Sequence, residues 1–227
     1  MHNERAKWTV TTHDWARDAD IEHIQLIQTD LTSFARSTWH LVLEVLAYAR
    51  EEAESTGAGR VTLTLHADGS IEIADNGRGT DTRTDAIGRP VRKPVMATRD
   101  VRFFDNPHAP VLPDGYPRRG LSVVAASSEM LIHTNHRHDG AWTQRYEHGL
   151  PVSDLQTRPS DGTTGTTVTL TPSPDLPPLP ILTTDLQADL DTLAPLTIEL
   201  QDHRADGRAT VDNGRAGMGA LADGCAR

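Results

Sequence analysis

The chain has 227 residues, of which 37% are hydrophobic, and this predicts one domain with a single core and at most short extensions. Its net charge of −10 argues against a nucleic-acid-binding surface, and its single cysteine, Cys225, excludes an internal disulfide. Because it has neither an apolar signal core nor a membrane-spanning apolar run, we expect a cytoplasmic protein that contacts neither membranes nor nucleic acids.

The first half of the chain predicts helices followed by a β-hairpin. Ser37 or Thr38 is a suitable N-cap for the longest helix, and Gly57 is a suitable residue to end it. Asp68-Gly69 lies between two alternating apolar segments and predicts a two-residue hairpin turn. The expected elements are a strand at 8–12, a helical segment within 18–34, a helix from 38 to about 55, and strands at 61–66 and 71–75.

The second half begins with a long segment, 80–118, that has little periodicity and many Pro, Arg and Asp residues. Such segments are usually lids, binding loops or mobile regions. The elements expected after it are a short helix at 120–128, strands at 131–134, 142–148 and 166–171, a proline-rich linker at 172–180, a helix at 184–193 and a strand at 196–201. Helices that alternate with hairpins predict an α+β fold built as a two-layer α/β sandwich.

The most informative motif is at residues 71–79, where a strand ends in the acidic, glycine-rich loop Asp75-Asn-Gly-Arg-Gly79. Asp-Asn-Gly after a strand is by itself a common tight turn, and Glu44 on the preceding helix is by itself an ordinary surface carboxylate. The order and spacing of several segments together are more specific. These segments are His40-Leu-Val-Leu-Glu-Val, the hairpin at 61–75, the Asp75–Gly79 loop, Gly120-Leu-Ser-Val-Val, Tyr146-Glu-His-Gly and Thr164-Gly-Thr.

With these segments the chain resembles the GHKL, or Bergerat-fold, superfamily of ATPases, and in particular the gyrase B ATPase domain, over about residues 40–212. The resemblance implies a mixed β-sheet covered by helices on one face. It divides the chain into an N-terminal arm at 1–36, a gyrase B-like domain at 37–212 with a variable lid-region loop at about 80–118, and a flexible tail at 213–227. Because the sequence ends where the gyrase B transducer domain would begin, we expect no topoisomerase activity.

The resemblance also implies roles for individual residues. The family's carboxylate at the Asp75 position accepts a hydrogen bond from the adenine amino group, and its carboxylate at Glu44 activates the water that attacks the terminal phosphate. The catalytic candidates are Glu44, Tyr48 and Asp75. The ligand-binding candidates are Asp75, Gly77, Arg78, Gly79, Thr166, Val45, Glu52 and Arg119. Glu52 and Arg78 form either an ion pair at the pocket mouth or two solvated charges. Gly79 lets the ligand approach the backbone closely.

Two departures from the family affect the phosphate end of the site. Tyr48 shares a helix face with Glu44 and stands where the family has the Asn that binds Mg²⁺, for which a neutral phenol is a poor replacement. The lid segment 114–120 keeps only two glycines, and its Pro117 lacks an N–H donor. Arg118 and Arg119 in this segment either bind an anion or are solvated loop charges. The histidines have no metal-ligand spacing, so we expect no metal site.

Three functions are compatible with this pattern. The first is a binding module that uses the adenine end of the pocket for a nucleotide-like or other small organic ligand, without efficient ATP hydrolysis. The second is a repurposed, metal-independent enzyme that cyclises, isomerises or rearranges a metabolite by acid–base catalysis. The third is a weak ATPase with ATP and Mg²⁺ as its cofactors, which Tyr48 and the altered lid argue against. The expected partner is a small molecule, and a homodimer is compatible with the resemblance.

Overall fold

The computed structural model describes residues 19–84, 90–92, 95–138, 140–180, 184–204 and 209–212. The strand predicted at 8–12, the tail predicted at 213–227 and Cys225 lie outside these ranges.

The longest helix begins and ends where its capping residues predict. The Ser37 hydroxyl accepts a hydrogen bond from the His40 backbone N–H at 3.2 Å, and Gly57 ends the helix in the left-handed conformation. None of the helices within the described ranges is both long and apolar enough to cross a membrane. The helices are α1 Ile21–Thr29, α2 Leu31–Phe34, α3 Thr38–Thr56, α4 Leu121–Ala126 and α5 Thr184–Asp191.

The strands form one large mixed sheet and a separate hairpin. The large sheet has the order β11-β10-β1-β2-β9-β5-β6-β7, with β8 also paired to β6, while β3 pairs only with β4. β1 and β10 are parallel and the other pairs are antiparallel, which confirms the α+β prediction with a mixed sheet. The strands are β1 Gly59–Leu65, β2 Ile71–Asp75, β3 Thr82–Thr84, β4 Pro90–Arg92, β5 Ser128–His136, β6 Ala141–Glu147, β7 Leu150–Pro151, β8 Gln156–Arg158, β9 Gly165–Pro172, β10 Leu196–Asp202 and β11 Ala209–Asp212.

The core lies between one face of this sheet and the helices. α3 packs over β1, β2 and β10, and α4 packs over β5 and β6. Because side chains alternate along a strand, the core-facing positions are apolar and buried, whereas their neighbours carry hydroxyl and carboxylate groups. The core-facing side chains of the central strands are Val61, Leu63, Leu65, Ile71, Ile73, Val168, Leu170, Ile198 and Leu200.

The segment predicted to lack structure is in part well packed. Met96, Phe104 and Leu112 are buried in the core, and the Ala97 carbonyl accepts a hydrogen bond from the Asp20 backbone N–H at 2.8 Å. β3 and β4 also lie within this segment. Its buried side chains are placed by successive turns and not by a regular element, so they leave no period in the sequence. This packed segment forms one wall of the cavity described below.

A buried histidine couples α1 to α4. His23 Nε2 lies 2.8 Å from the Ser122 Oγ, and the imidazole makes an edge contact with the Phe104 ring. Burial, with a smaller contribution from Arg99, lowers the pKa of His23 to about 4, although Asp20 and Asp105 act in the opposite direction. His23 is therefore neutral in the folded protein at physiological pH.

We expect acid to destabilise the protein in part through His23. The unfolded chain takes up a proton near the ordinary pKa of 6.5, whereas the folded state resists it down to about 4, so stability is lost as pH falls between these values. The loss of stability through this group is about 3 kcal/mol. Urea unfolding of wild type and His23→Gln across this range measures it. Equal pH dependence in the two proteins would contradict the assignment.

Candidate ligand-binding site

A cavity of about 470 Å³ opens between α3, the end of β2 and the packed segment that begins at Val95. Both apolar and polar groups line it, as is typical of small-molecule sites. Of the predicted site residues, Val45, Tyr48, Glu52, Asp75, Arg78, Gly79 and Thr166 contribute to its wall. Its apolar side chains are Val45, Ala49, Val95, Met96, Leu121 and Val168.

Asp75 is a partly buried carboxylate on this wall that has no ion-pair partner among the described residues. Its Oδ1 accepts a hydrogen bond from the Gly77 backbone N–H at 2.8 Å, and the Thr166 backbone N–H is also a donor to the side chain. Burial raises the pKa of Asp75 to about 6, since these two hydrogen bonds only partly offset the loss of solvent. The carboxylate therefore has acceptor capacity left for a ligand that donates hydrogen bonds.

The predicted ion pair of Glu52 with Arg78 is present at the cavity wall. The Arg78 guanidinium donates from Nε and Nη2 to the two Glu52 carboxylate oxygens at 2.5 and 2.7 Å. These bidentate bonds lower the pKa of Glu52. The Arg78 side chain is 73% exposed, so the pair lies at the solvent-facing side of the cavity.

Gly79 is required by the protein's own packing. Its φ of +78° is in the left-handed region, and a Cβ atom there would lie 2.5 Å from the Asn135 Oδ1 and 2.8 Å from the His136 carbonyl oxygen. Asn135 Oδ1 also accepts a hydrogen bond from the Thr80 backbone N–H at 2.7 Å, which fixes the loop against β5. Contact with β5 is therefore a sufficient reason for this glycine by itself, and the approach of a ligand to the Gly79 backbone stays a prediction.

Tyr48 belongs to a network of charged groups that sequence reasoning missed. Its hydroxyl donates to the fully buried Asp100 carboxylate at 2.8 Å, and Arg102 donates to the same carboxylate from Nε and Nη2 at 3.1 and 2.8 Å. Burial opposes ionisation of Asp100, but these donors outweigh it and hold its pKa below the ordinary value. Burial and the Asp100 charge raise the pKa of Tyr48 well above its usual range, so the phenol stays neutral.

Glu44 lies beneath the cavity and not in its wall. Its fully buried carboxylate accepts hydrogen bonds from the backbone N–H groups of Arg119 and Gly120, the latter at 3.2 Å. The His40 Nε2 is 3.6 Å away, and the His40 Nδ1 contacts the Asp114 Oδ2 at 2.7 Å. Burial raises the pKa of Glu44, although the two N–H groups act against this. The carboxylate thus holds the segment that leads into α4.

The two lid arginines also point into the protein. The Arg118 side chain is buried, with its guanidinium 3.9 Å from the Phe103 ring centroid and its Nη1 2.5 Å from the Glu51 Oε1. The Arg119 Nη1 donates to the Phe104 carbonyl oxygen at 2.8 Å. Neither arginine is part of the cavity wall. Across the described ranges, no three His, Cys, Asp or Glu side chains are grouped so that they could hold a metal ion.

Comparisons with known proteins identify the family. No protein-family model matches the chain. The DNA gyrase B protein of Mycolicibacterium smegmatis is 32% identical over 189 residues, which is 78% of this chain and 27% of that protein. The mitochondrial DNA gyrase B protein of Arabidopsis thaliana is 32% identical over 167 residues, 70% of this chain and 22% of that protein.

A third relative, the B protein of DNA topoisomerase 4 from Staphylococcus epidermidis, is 32% identical over 142 residues, 62% of this chain and 21% of that protein. The chain thus spans about a quarter of the length of the curated relatives it matches. Identity at this level over most of the chain, on a mixed sheet with its helices on one face, means that the chain belongs to the GHKL superfamily as a gyrase B-like domain.

Proposed function

We propose that this gyrase B-like domain binds a small organic ligand with an aromatic amino group in the cavity beside Asp75, without efficient ATP hydrolysis. The observation that carries the proposal is the Asp75 carboxylate, which lies at the cavity wall with no ion-pair partner among the described residues. A buried carboxylate gains most from a ligand that brings hydrogen-bond donors. The apolar side chains of the wall, such as Val45 and Val168, suit a flat ring.

ATP with Mg²⁺ fits these residues poorly. The Tyr48 hydroxyl is engaged with Asp100, and a neutral phenol is not a ligand that Mg²⁺ prefers. Glu44, the general base that the family resemblance implies, is bound by the Arg119 and Gly120 backbone and does not line the cavity. Both contacts support binding without phosphoryl transfer.

Titration calorimetry with adenosine as the probe tests the proposal. We expect saturable binding at neutral pH and a loss of about tenfold or more in Asp75→Asn, because the amide cannot accept from the amine as a carboxylate does. Affinity should also fall as pH drops below about 6, where Asp75 takes up a proton. Phosphate release from ATP with Mg²⁺ should not exceed that of a protein-free blank.

Asp68→Asn is the matched control. Asp68 lies in an exposed turn, where its carboxylate accepts from Ser70, so adenosine affinity should not change. Undiminished adenosine binding by Asp75→Asn, or magnesium-dependent phosphate release by wild type, would contradict the proposed function.

A second candidate is a metal-independent acid–base enzyme in the same cavity. The observation that favours it is the position of the Asp75 carboxylate at the cavity wall, where burial raises its pKa to about 6, close to the value that a general base needs at neutral pH. Mass spectrometry of the ligand recovered from the protein distinguishes the two candidates. An enzyme returns a chemically altered compound, whereas a binding module returns the compound unchanged.

The homodimer stays a prediction.

A further inference from the structure

The α3–α4 side of the cavity holds an arginine–carboxylate cluster, which we define as Glu51, Asp100, Arg102 and Arg118. Arg102 is bound through two nitrogens to Asp100, and its Nη1 lies 3.3 Å from the Glu51 Oε2. Arg118 donates to the other Glu51 oxygen at 2.5 Å. Two guanidinium groups thus meet two carboxylates, and the cluster offers no net positive charge to a ligand.

The other described cations of the cavity wall are paired as well. Arg78 is bound by Glu52, and Arg137 lies 3.2 Å from the Asp81 carboxylate. Among the residues that the structure describes, the wall carries four carboxylates, on Glu51, Glu52, Asp75 and Asp81, and three guanidinium groups, on Arg78, Arg102 and Arg137. The charge of this described part of the wall is therefore slightly negative, on a chain whose net charge is −10. An anionic ligand meets no uncompensated cation among these wall residues.

Two backbone donors next to the cluster are also engaged. Glu44 accepts from the Arg119 and Gly120 N–H groups, which open α4. A phosphate at this point would have to displace a buried carboxylate and leave it without its hydrogen bonds, which is costly. The Glu44 carboxyl group thus already occupies the position at which these two N–H groups could bind a phosphate.

We propose that the cavity selects phosphate-free ligands, and that its ligand class is a nucleoside-sized aromatic amine that is uncharged or cationic. The inference rests on the proposed function and adds a chemical class to it. Selection comes from the chain's own carboxyl groups, because Glu51 and Asp100 neutralise Arg102 and Arg118, and Glu44 occupies the Arg119 and Gly120 N–H groups. A monophosphate would bring two charges into a cavity whose wall guanidinium groups, among the described residues, are each paired with a carboxylate.

The test compares adenosine, AMP and ADP by calorimetry at neutral pH in the presence of EDTA. In wild type we expect AMP to bind about tenfold or more weakly than adenosine, and ADP no better than AMP. Glu51→Gln removes the carboxylate that Arg102 and Arg118 share, so the ratio of AMP to adenosine affinity should rise by about tenfold. Glu54→Gln is the matched control, because Glu54 is on the same helix in an exposed pair with Arg50, and its ratio should stay at the wild-type value.

The outcomes of these titrations distinguish the phosphate-free ligand class from the proposed binding of an aromatic amine beside Asp75. If adenosine does not bind wild type, both proposals are overturned. If adenosine binds through Asp75 and AMP or ADP binds equally well or more tightly, the proposed function stands and the phosphate-free class is wrong. The wild-type series gives this answer even if Glu51→Gln is too unstable to titrate.

Discussion

Asp75→Asn is expected to raise the free energy of unfolding at neutral pH by about 1–3 kcal/mol while it weakens ligand binding. The folded protein holds the Asp75 carboxyl at a pKa of about 6 against an ordinary 3.8, chiefly because burial penalises its charge. The folded-state pKa is raised, so the stability that this group contributes is present below 3.8 and is lost as pH rises through 6. The amide carries no charge and keeps an oxygen that can accept from the Gly77 N–H.

Urea unfolding between about pH 4 and pH 8 measures this effect. The gain from Asp75→Asn should be largest above pH 6 and should shrink toward pH 4, where the folded wild-type carboxyl is protonated. Asp68→Asn should show no such gain, because hydrogen bonds from Ser70 lower the pKa of this fully exposed carboxyl. A gain that does not change with pH would show that charge burial is not its cause.

Glu44→Ala is expected to lower the free energy of unfolding by about 3 kcal/mol or more. The substitution leaves the Arg119 and Gly120 N–H groups buried without an acceptor, and it leaves His40 and Arg118 without the carboxylate between them. Glu44→Gln should cost less, because its amide oxygen can still accept one of the two N–H groups. Thermal and urea unfolding of both variants measure the difference.

The control for this prediction is Glu54→Ala, on the same helix. Its carboxylate is 50% exposed and pairs with Arg50, so the change should be within about 0.5 kcal/mol. If Glu44→Ala were as stable as Glu54→Ala, the Glu44 carboxylate would not stabilise the segment before α4. That result would contradict the structural role and would favour a catalytic role for Glu44.

The elements with local signals were predictable from the sequence. Ser37 and Gly57 define both ends of α3, and the Asp68-Gly69 turn joins β1 to β2 as expected. The helix predicted at 120–128 was too long, because α4 ends at Ala126 and β5 already begins at Ser128. The apolar run there is continuous, and its composition fits a helix or a buried strand equally well. β7 and β8 were missed, since these short strands exist only through pairing with β6.

The site was predictable only where it follows from regular elements. Helical spacing correctly places Glu44 and Tyr48 on one face of α3, and both approach Gly120 in the structure. It cannot reveal what covers that face, which here is the backbone before α4 together with Asp100 and Arg102. The available sequence signal for this network was the spacing of Asp100 and Arg102, which are two positions apart. These residues lie in a segment without helical or strand periodicity, so the spacing does not stand out.

The glycines around Asp75 bear on how this domain changes over evolutionary time. A Cβ atom at Gly79 would strike Asn135, and one at Gly165 would overlap the Asp75 carbonyl oxygen. A substitution at either position would therefore destabilise the fold, and selection for a folded protein would remove it. A copy that has lost every ligand would keep both glycines as faithfully as an active one. In related proteins, the presence of these two glycines therefore indicates that the fold is kept and does not indicate that ligand binding or catalysis is kept.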